Sequence, residues 1–334
     1  MLVDGTLGFD PGGVVAQSRD AEAAGYDGIW SAETSHDPFL PLMLAAEHTE
    51  RIKLGTGIAV AFARNPMNLA VLANDLQTAS RGRFMLGLGS QIRPHITKRY
   101  SMPWSDPAAR MRELILAIRA IWASWSDGSR LAFRGEYYRH TLMTPMFDPG
   151  PNPFGHPEIF LAAVGPLMTE VAGEVADGML AHAFTTERYL REVTRPALER
   201  GFARSGRSAG NFQISLPGMV VTGVDDEQRA ATLAATRKQI AFYGSTPAYR
   251  PVLELHGWGD LQDELNTLSK RGDWDTMANL IDDEMLETFA VVGDLDDIGQ
   301  MVKDRYGGLV DRFSIYAPRG LDAVQWAEVL ANFK

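Results

Sequence analysis

The chain has 334 residues, 45% of them hydrophobic and 22% charged, the balance of a soluble globular protein with room for one large α/β barrel or two ordinary domains. A net charge of −10 and the lack of a dense Lys/Arg block argue against nucleic acid or an anionic membrane surface as a partner. No cysteine is present, which excludes disulfides, thiolate zinc sites and a cysteine nucleophile.

The first residues, Met1-Leu2-Val3-Asp4-Gly5, show no basic region ahead of an apolar core, so no signal peptide is expected there. No apolar run reaches the ~20 residues a spanning helix needs. The expected address is the cytoplasm.

Residues 3–8 predict a first strand, and 14–24 a helix closed by Gly25. Strand two is expected over 26–31, a short helix over 38–49, and strand three over 52–60. Asn65-Pro66 is a helix start, a capping side chain followed by proline in the first turn, and that helix should reach about Ser80. Strand four is expected over 84–89. Asp106-Pro107 repeats the start signal, and Met111, Leu114, Ile115, Ile118, Ile121, Trp122 and Trp125 then fall on one helical stripe.

The rhythm breaks over 126–157, where 133–138 predict a small hairpin and 148–157 a Pro/Gly-rich loop. It resumes with strand five (158–164), a helix (166–176), strand six (178–183) and a helix (186–203). Strand seven is expected over 212–222, bent or ended early by Pro217 and Gly218. A helical region follows over 225–290, interrupted at 244–259. A helix over 294–306, strand eight (312–317) and a last helix (322–333) complete the chain. Alternating strands and helices imply a parallel sheet. Eight of each predict one (β/α)8 TIM barrel domain over 1–334, with insertions after strands four and seven.

Two stretches stand out. Ile52-Lys53-Leu54-Gly55-Thr56-Gly57-Ile58-Ala59-Val60 and Arg81-Gly82-Arg83-Phe84-Met85-Leu86-Gly87-Leu88-Gly89-Ser90 read as buried strands. Their glycines would let something flat approach the backbone, at the barrel end where active sites sit. Together with Gly25-Tyr26-Asp27-Gly28-Ile29-Trp30, Ile159-Phe160-Leu161-Ala162-Ala163 before Gly165-Pro166, and Ala176-Asp177-Gly178-Met179, these motifs resemble the luciferase-like monooxygenase superfamily. The resemblance is greatest to its branch of oxidoreductases using the deazaflavin coenzyme F420.

That resemblance implies an F420 or FMN isoalloxazine ring across the C-terminal mouth of the barrel. It implies a non-proline cis peptide at the end of strand three, matched here by Gly57-Ile58. Gly89, Ser90 and Gln91 would contact the ring edge or ribityl chain. Ala163, Val164 and Gly165 would meet a phosphate at the following helix start, where backbone N–H groups and the helix dipole favour an anion. The family often has two glycines there, where this chain has Val164-Gly165.

Glu33 lies just past strand two. Sugar-phosphate dehydrogenases of the family carry a histidine at the matching position. A partly desolvated carboxylate at a barrel mouth can serve as acid or base, and His182, at the end of strand six, is the other candidate. His95, with Arg93 and Arg99, could meet substrate or the coenzyme's acidic tail. Tyr243, Tyr249 and Trp258 fall in the interruption of the second insertion and are expected in a lid over an apolar substrate. No metal-binding pair of histidines, nucleophile elbow or phosphate-binding Gly-Lys-Ser/Thr loop occurs. Gly87-Leu88-Gly89 lacks the third glycine of a dinucleotide fingerprint.

The resulting expectation is an F420-dependent oxidoreductase moving a hydride between the deazaflavin C5 and a small organic substrate. The alternatives are an FMN monooxygenase using reduced flavin from a separate reductase, and a cofactor-binding protein without turnover; a flavin or F420 reductase is a candidate partner. Barrels of the family usually pair, so a homodimer is expected.

Overall fold

The computed structural model describes residues 1–8, 10, 12–317, 326, 329, 330 and 333. Eight strands form the barrel: β1 (Leu2–Leu7), β2 (Gly28–Ser31), β3 (Lys53–Thr56), β4 (Phe84–Gly89), β5 (Glu158–Ala163), β6 (Gly178–Ala181), β7 (Gln213–Val221) and β8 (Arg312–Tyr316). Their order is β7-β8-β1-β2-β3-β4-β5-β6, and pairing of β6 with β7 closes the sheet. This is the (β/α)8 TIM barrel expected from the alternation. Two compact units make up the chain. One comprises Gly5–Leu180 with Ala197–Phe212, the other Met1–Asp4, Ala181–Pro196 and Gln213–Lys334. The expected last helix lies almost entirely outside the described residues.

In the first unit the strands are apolar because both of their faces are covered; all six residues of β4 are buried. Large and small residues alternate across the barrel interior. Trp30 packs edge-on against Phe160, with ring centroids 5.6 Å apart, and Met85 and Leu180 join them. A Cβ on Gly55 would stand 2.3 Å from the Trp30 ring, and one on Gly178 would stand 2.3 Å from Phe160. The Gly55 neighbour is therefore an indole. A Cβ on Gly87 would meet the Thr56 carbonyl oxygen at 1.8 Å, and one on Gly89 the Ile58 side chain at 2.8 Å. On the side where a Cβ would stand, the protein's own atoms fill the space beside these glycines.

Strand three, read as one run over 52–60, is broken. Lys53–Thr56 is followed by a cis peptide between Gly57 and Ile58, where the resemblance placed one, and then by a two-residue strand, Ala59–Val60. The register against β4 shifts across the break. Leu54 pairs with Phe84, an offset of 30, and Ala59 pairs with Leu88, an offset of 29. One extra residue on β3 is a β-bulge.

Helix starts follow their signals in part. Asn65 accepts from Asn68 N at 3.0 Å with Pro66 in the first turn. The Asp106 side chain makes no capping bond to its helix, Pro107–Asp127. The first insertion holds strands Phe133–Arg134 and Arg139–His140, tied to that helix by Glu113, whose carboxylate accepts from the backbone N–H groups of Glu136, Tyr137 and Tyr138.

In the second unit β7 runs nine residues through Pro217 and Gly218, so it does not end early. Gly218 is required for packing: a Cβ there would stand 2.1 Å from the Phe313 ring. The second insertion is five helices, Asp226–Gly244, Arg250–Leu255, Gly259–Arg271, Trp274–Asn279 and Asp283–Phe289. They close on a core that includes Phe184, Ile240, Leu253, Leu265, Met277 and Phe289. A short strand missed by the pattern, Ala290–Val292, pairs parallel with β7.

Candidate active site at the strand ends

In the first unit the site builds around the bulge. Gly57 N–H donates to the Ser31 carbonyl and Glu33 N–H to the Ile58 carbonyl, so the segment after β2 is bound to the cis pair from both sides. The Glu33 side chain is only 7% exposed. Its Oε2 accepts from Val60 N–H at 2.7 Å and from Arg64 Nη1 at 2.6 Å. Its Oε1 accepts from the Tyr100 hydroxyl at 2.9 Å. Arg64 also meets Asp37 at 3.1 Å and lies over the Phe39 ring.

Three donors meet its two oxygens, and the side chain braces the bulge, tying Val60, Arg64 and Tyr100 to the segment after β2. Tyr100 was not foreseen. It follows a π-helical turn, His95–Arg99, and precedes Ser101, whose φ is 55°. Both are uncommon local conformations that recur at functional sites. Burial, and then the Glu33 carboxylate, push the Tyr100 hydroxyl above its ordinary pKa.

Ser90 and Gln91 follow β4, both half-buried, and Gln91 holds a left-handed φ of 58°. Ala163 ends β5 and is buried. Gly165 opens helix Pro166–Val175, which no side chain caps, and a Cβ on Gly165 would meet nothing within 4 Å. His95 is exposed on the π-turn. Its neighbour Arg99 is drawn back to the Thr34 carbonyl and over the Tyr100 ring.

In the second unit His182 follows β6. Its Nδ1 accepts from Phe184 N–H at 3.0 Å, and its Nε2 lies 3.0 Å from the Tyr249 hydroxyl. Desolvation pushes the imidazole down to about 4, so it is uncharged at neutral pH. Its Nδ1 is already occupied by the Phe184 N–H, so only Nε2 faces a side-chain partner. Tyr243 packs edge-on against His182, at 4.7 Å, and shares a hydrogen bond with Tyr316, at the end of β8. Trp258 lies apart from this group: it stacks on His256 at 5.0 Å and, like Tyr243 and Tyr249, packs partly buried on the insertion's core.

Among the described residues no three His, Asp or Glu side chains gather as a metal site, and no helix is long and apolar enough to cross a membrane.

The family model for luciferase-like monooxygenases matches residues 2–312. An uncharacterized protein of Mycobacterium tuberculosis is 61% identical over 302 residues, 89% of each chain. A second M. tuberculosis protein, named as a coenzyme F420-dependent oxidoreductase, is 32% identical over 295 residues, 83% of each chain. The solved coenzyme F420-dependent tetrahydromethanopterin reductase of Methanopyrus kandleri superposes with a TM-score of 0.80 at 23% identity, covering 100% of this chain and 99% of its own, a likeness of fold. With the barrel and a match over nearly its whole length, the chain belongs to the luciferase-like monooxygenase family, and with it to the oxidoreductases.

Proposed function

We propose that the protein is an F420-dependent oxidoreductase acting on a small organic substrate. The observation that carries this reading is the 32% identity, over most of both chains, to the relative named as F420-dependent. Features of the first unit support it. The uncapped helix start at Gly165, open where a side chain would stand, suits a phosphate. The half-buried Ser90 and Gln91 offer polar groups beside a small, apolar floor at Gly57-Ile58 and Gly89. When bound, a deazaflavin supplies a hydride donor or acceptor at C5. The chain's part is placement and exclusion of water. Glu33, anchored by Val60, Arg64 and Tyr100, holds the bulge in place beneath that floor.

The test is a fluorescence titration of the purified protein with F420 and, separately, with FMN. Micromolar F420 binding is expected, weakened at least about tenfold in Glu33→Ala because the bulge loses its brace. Tight FMN binding without F420 binding would overturn the proposal. The family model's monooxygenase description favours a second reading in that event: oxygen uptake with reduced FMN supplied by a separate reductase.

A homodimer is part of the same proposal. Helix Phe39–His48 exposes Leu40, Met43 and Leu44 at helical spacing, and helix Pro66–Ala79 exposes Val71. A solvent-facing apolar stripe of this kind suits a second copy. Light scattering should give twice the chain mass; a monomer at tens of micromolar protein would exclude the pairing.

A further inference from the structure

The hydrogen-bond direction at Tyr249 follows from its neighbours. The Phe184 N–H donates to Nδ1 of His182, so Nδ1 carries no proton; an imidazolium would set two N–H groups against each other. The remaining proton of the neutral ring is on Nε2. That N–H donates to the Tyr249 oxygen across 3.0 Å. A phenol has a single O–H. Tyr249 therefore does not donate to His182, and its O–H is directed elsewhere.

The surroundings narrow what that O–H can meet. Tyr249 is half-buried and its ring stacks on the imidazole, with centroids 4.5 Å apart. Phe184 and Tyr243 complete the aromatic group, and the Tyr243 hydroxyl is engaged by Tyr316. The neighbouring cation in sequence, Arg250, is held by Glu254 and Asp263. A carboxylate among these rings would find Arg250 already paired, whereas a neutral oxygen acceptor needs no positive partner.

We propose that the Tyr249 hydroxyl is a ligand-binding donor for the carbonyl oxygen of a small, largely apolar ketone or aldehyde, with His182 as its positioning residue. Calling that ligand the substrate rests on the oxidoreductase reading. The binding itself does not, so it is tested on cofactor-free protein.

The probe pair is acetophenone and ethylbenzene, which differ by the carbonyl oxygen. The wild-type protein should prefer acetophenone by about tenfold, the worth of one good hydrogen bond. Tyr249→Phe should erase that preference and leave ethylbenzene affinity unchanged. His182→Phe, which keeps the stacked ring, should reduce the preference severalfold. With ¹⁵N-histidine labelling at neutral pH, His182 should show an unprotonated Nδ1 and a protonated Nε2, in wild type and in Tyr249→Phe alike.

A retained preference in Tyr249→Phe, an Nδ1–H tautomer, or no acetophenone binding at millimolar concentration would each overturn the proposal. Failure of F420 to bind in the separate titration would leave it standing.

Discussion

Arg312→Met is expected to lower the free energy of unfolding by about 3–5 kcal/mol. Arg312 opens β8, and its Nε and Nη2 donate to the two carboxylate oxygens of Asp4 on β1 at 2.7 and 2.6 Å. The two side chains are 3% and 0% exposed. Methionine keeps much of the apolar stem but takes away the fork that faces Asp4, whose carboxylate is buried. The cost arises from the charge left behind more than from the bond removed. Replacing both partners with apolar residues, as in Asp4→Leu with Arg312→Met, should therefore recover most of the loss. Urea unfolding followed by circular dichroism would measure both variants. A loss below about 1 kcal/mol in the single variant would show that the pair contributes no more than a surface ion pair does.

Gly87→Ala is the second large effect. The added methyl would stand 1.8 Å from the Thr56 carbonyl oxygen and 3.0 Å from a Leu180 methyl. The nearer obstacle is backbone, so no rotamer change relieves it. The same two residues are bound twice more: Thr56 Oγ1 donates to the Gly87 carbonyl at 2.7 Å and accepts from Gly87 N–H at 2.9 Å. Admitting one carbon means parting β3 from β4 at the point where the bulge begins. A destabilisation of about 3 kcal/mol or more is expected, at the upper end of the usual range for overpacking. Gly165→Ala is the control, since nothing lies within 4 Å of its added carbon, and it should stay within about 0.5 kcal/mol of wild type. Equal thermal shifts in the two variants would contradict the account of these glycines as packing elements.

The barrel was legible in the sequence because each strand is a near-continuous apolar run followed by a helical stripe, and both patterns are local. The features that shape the candidate site are not local. Glu33 was visible as a carboxylate past β2, but its partners Arg64 and Tyr100 lie 31 and 67 residues further on, and no spacing rule joins them. The glycines of β3 and β4 were visible too. What fills the space beside them, Trp30 and the Thr56 backbone, depends on how neighbouring strands are set against each other. His182 was rightly placed at a strand end, yet its proton-free Nδ1 is fixed by a backbone N–H two residues away, which a residue pattern does not encode. The second insertion was legible as aromatic-rich, but the core its helices close on, Ile240, Leu253, Leu265, Met277 and Phe289, is drawn from positions scattered along it.

The register shift between Leu54 and Ala59 also marks a place where the chain can lose a residue. Side chains on a strand alternate between faces, and a bulge sets two residues against one of the partner strand. Taking out Gly57 or Ile58 would leave a regular ladder with Ala59 still opposite Leu88 and Val60 still opposite Gly89. Both are fully buried, so their packing would survive while the bulge that Glu33 braces would be gone. The extra residue is thus dispensable to the barrel wall and matters for the shape of the strand end.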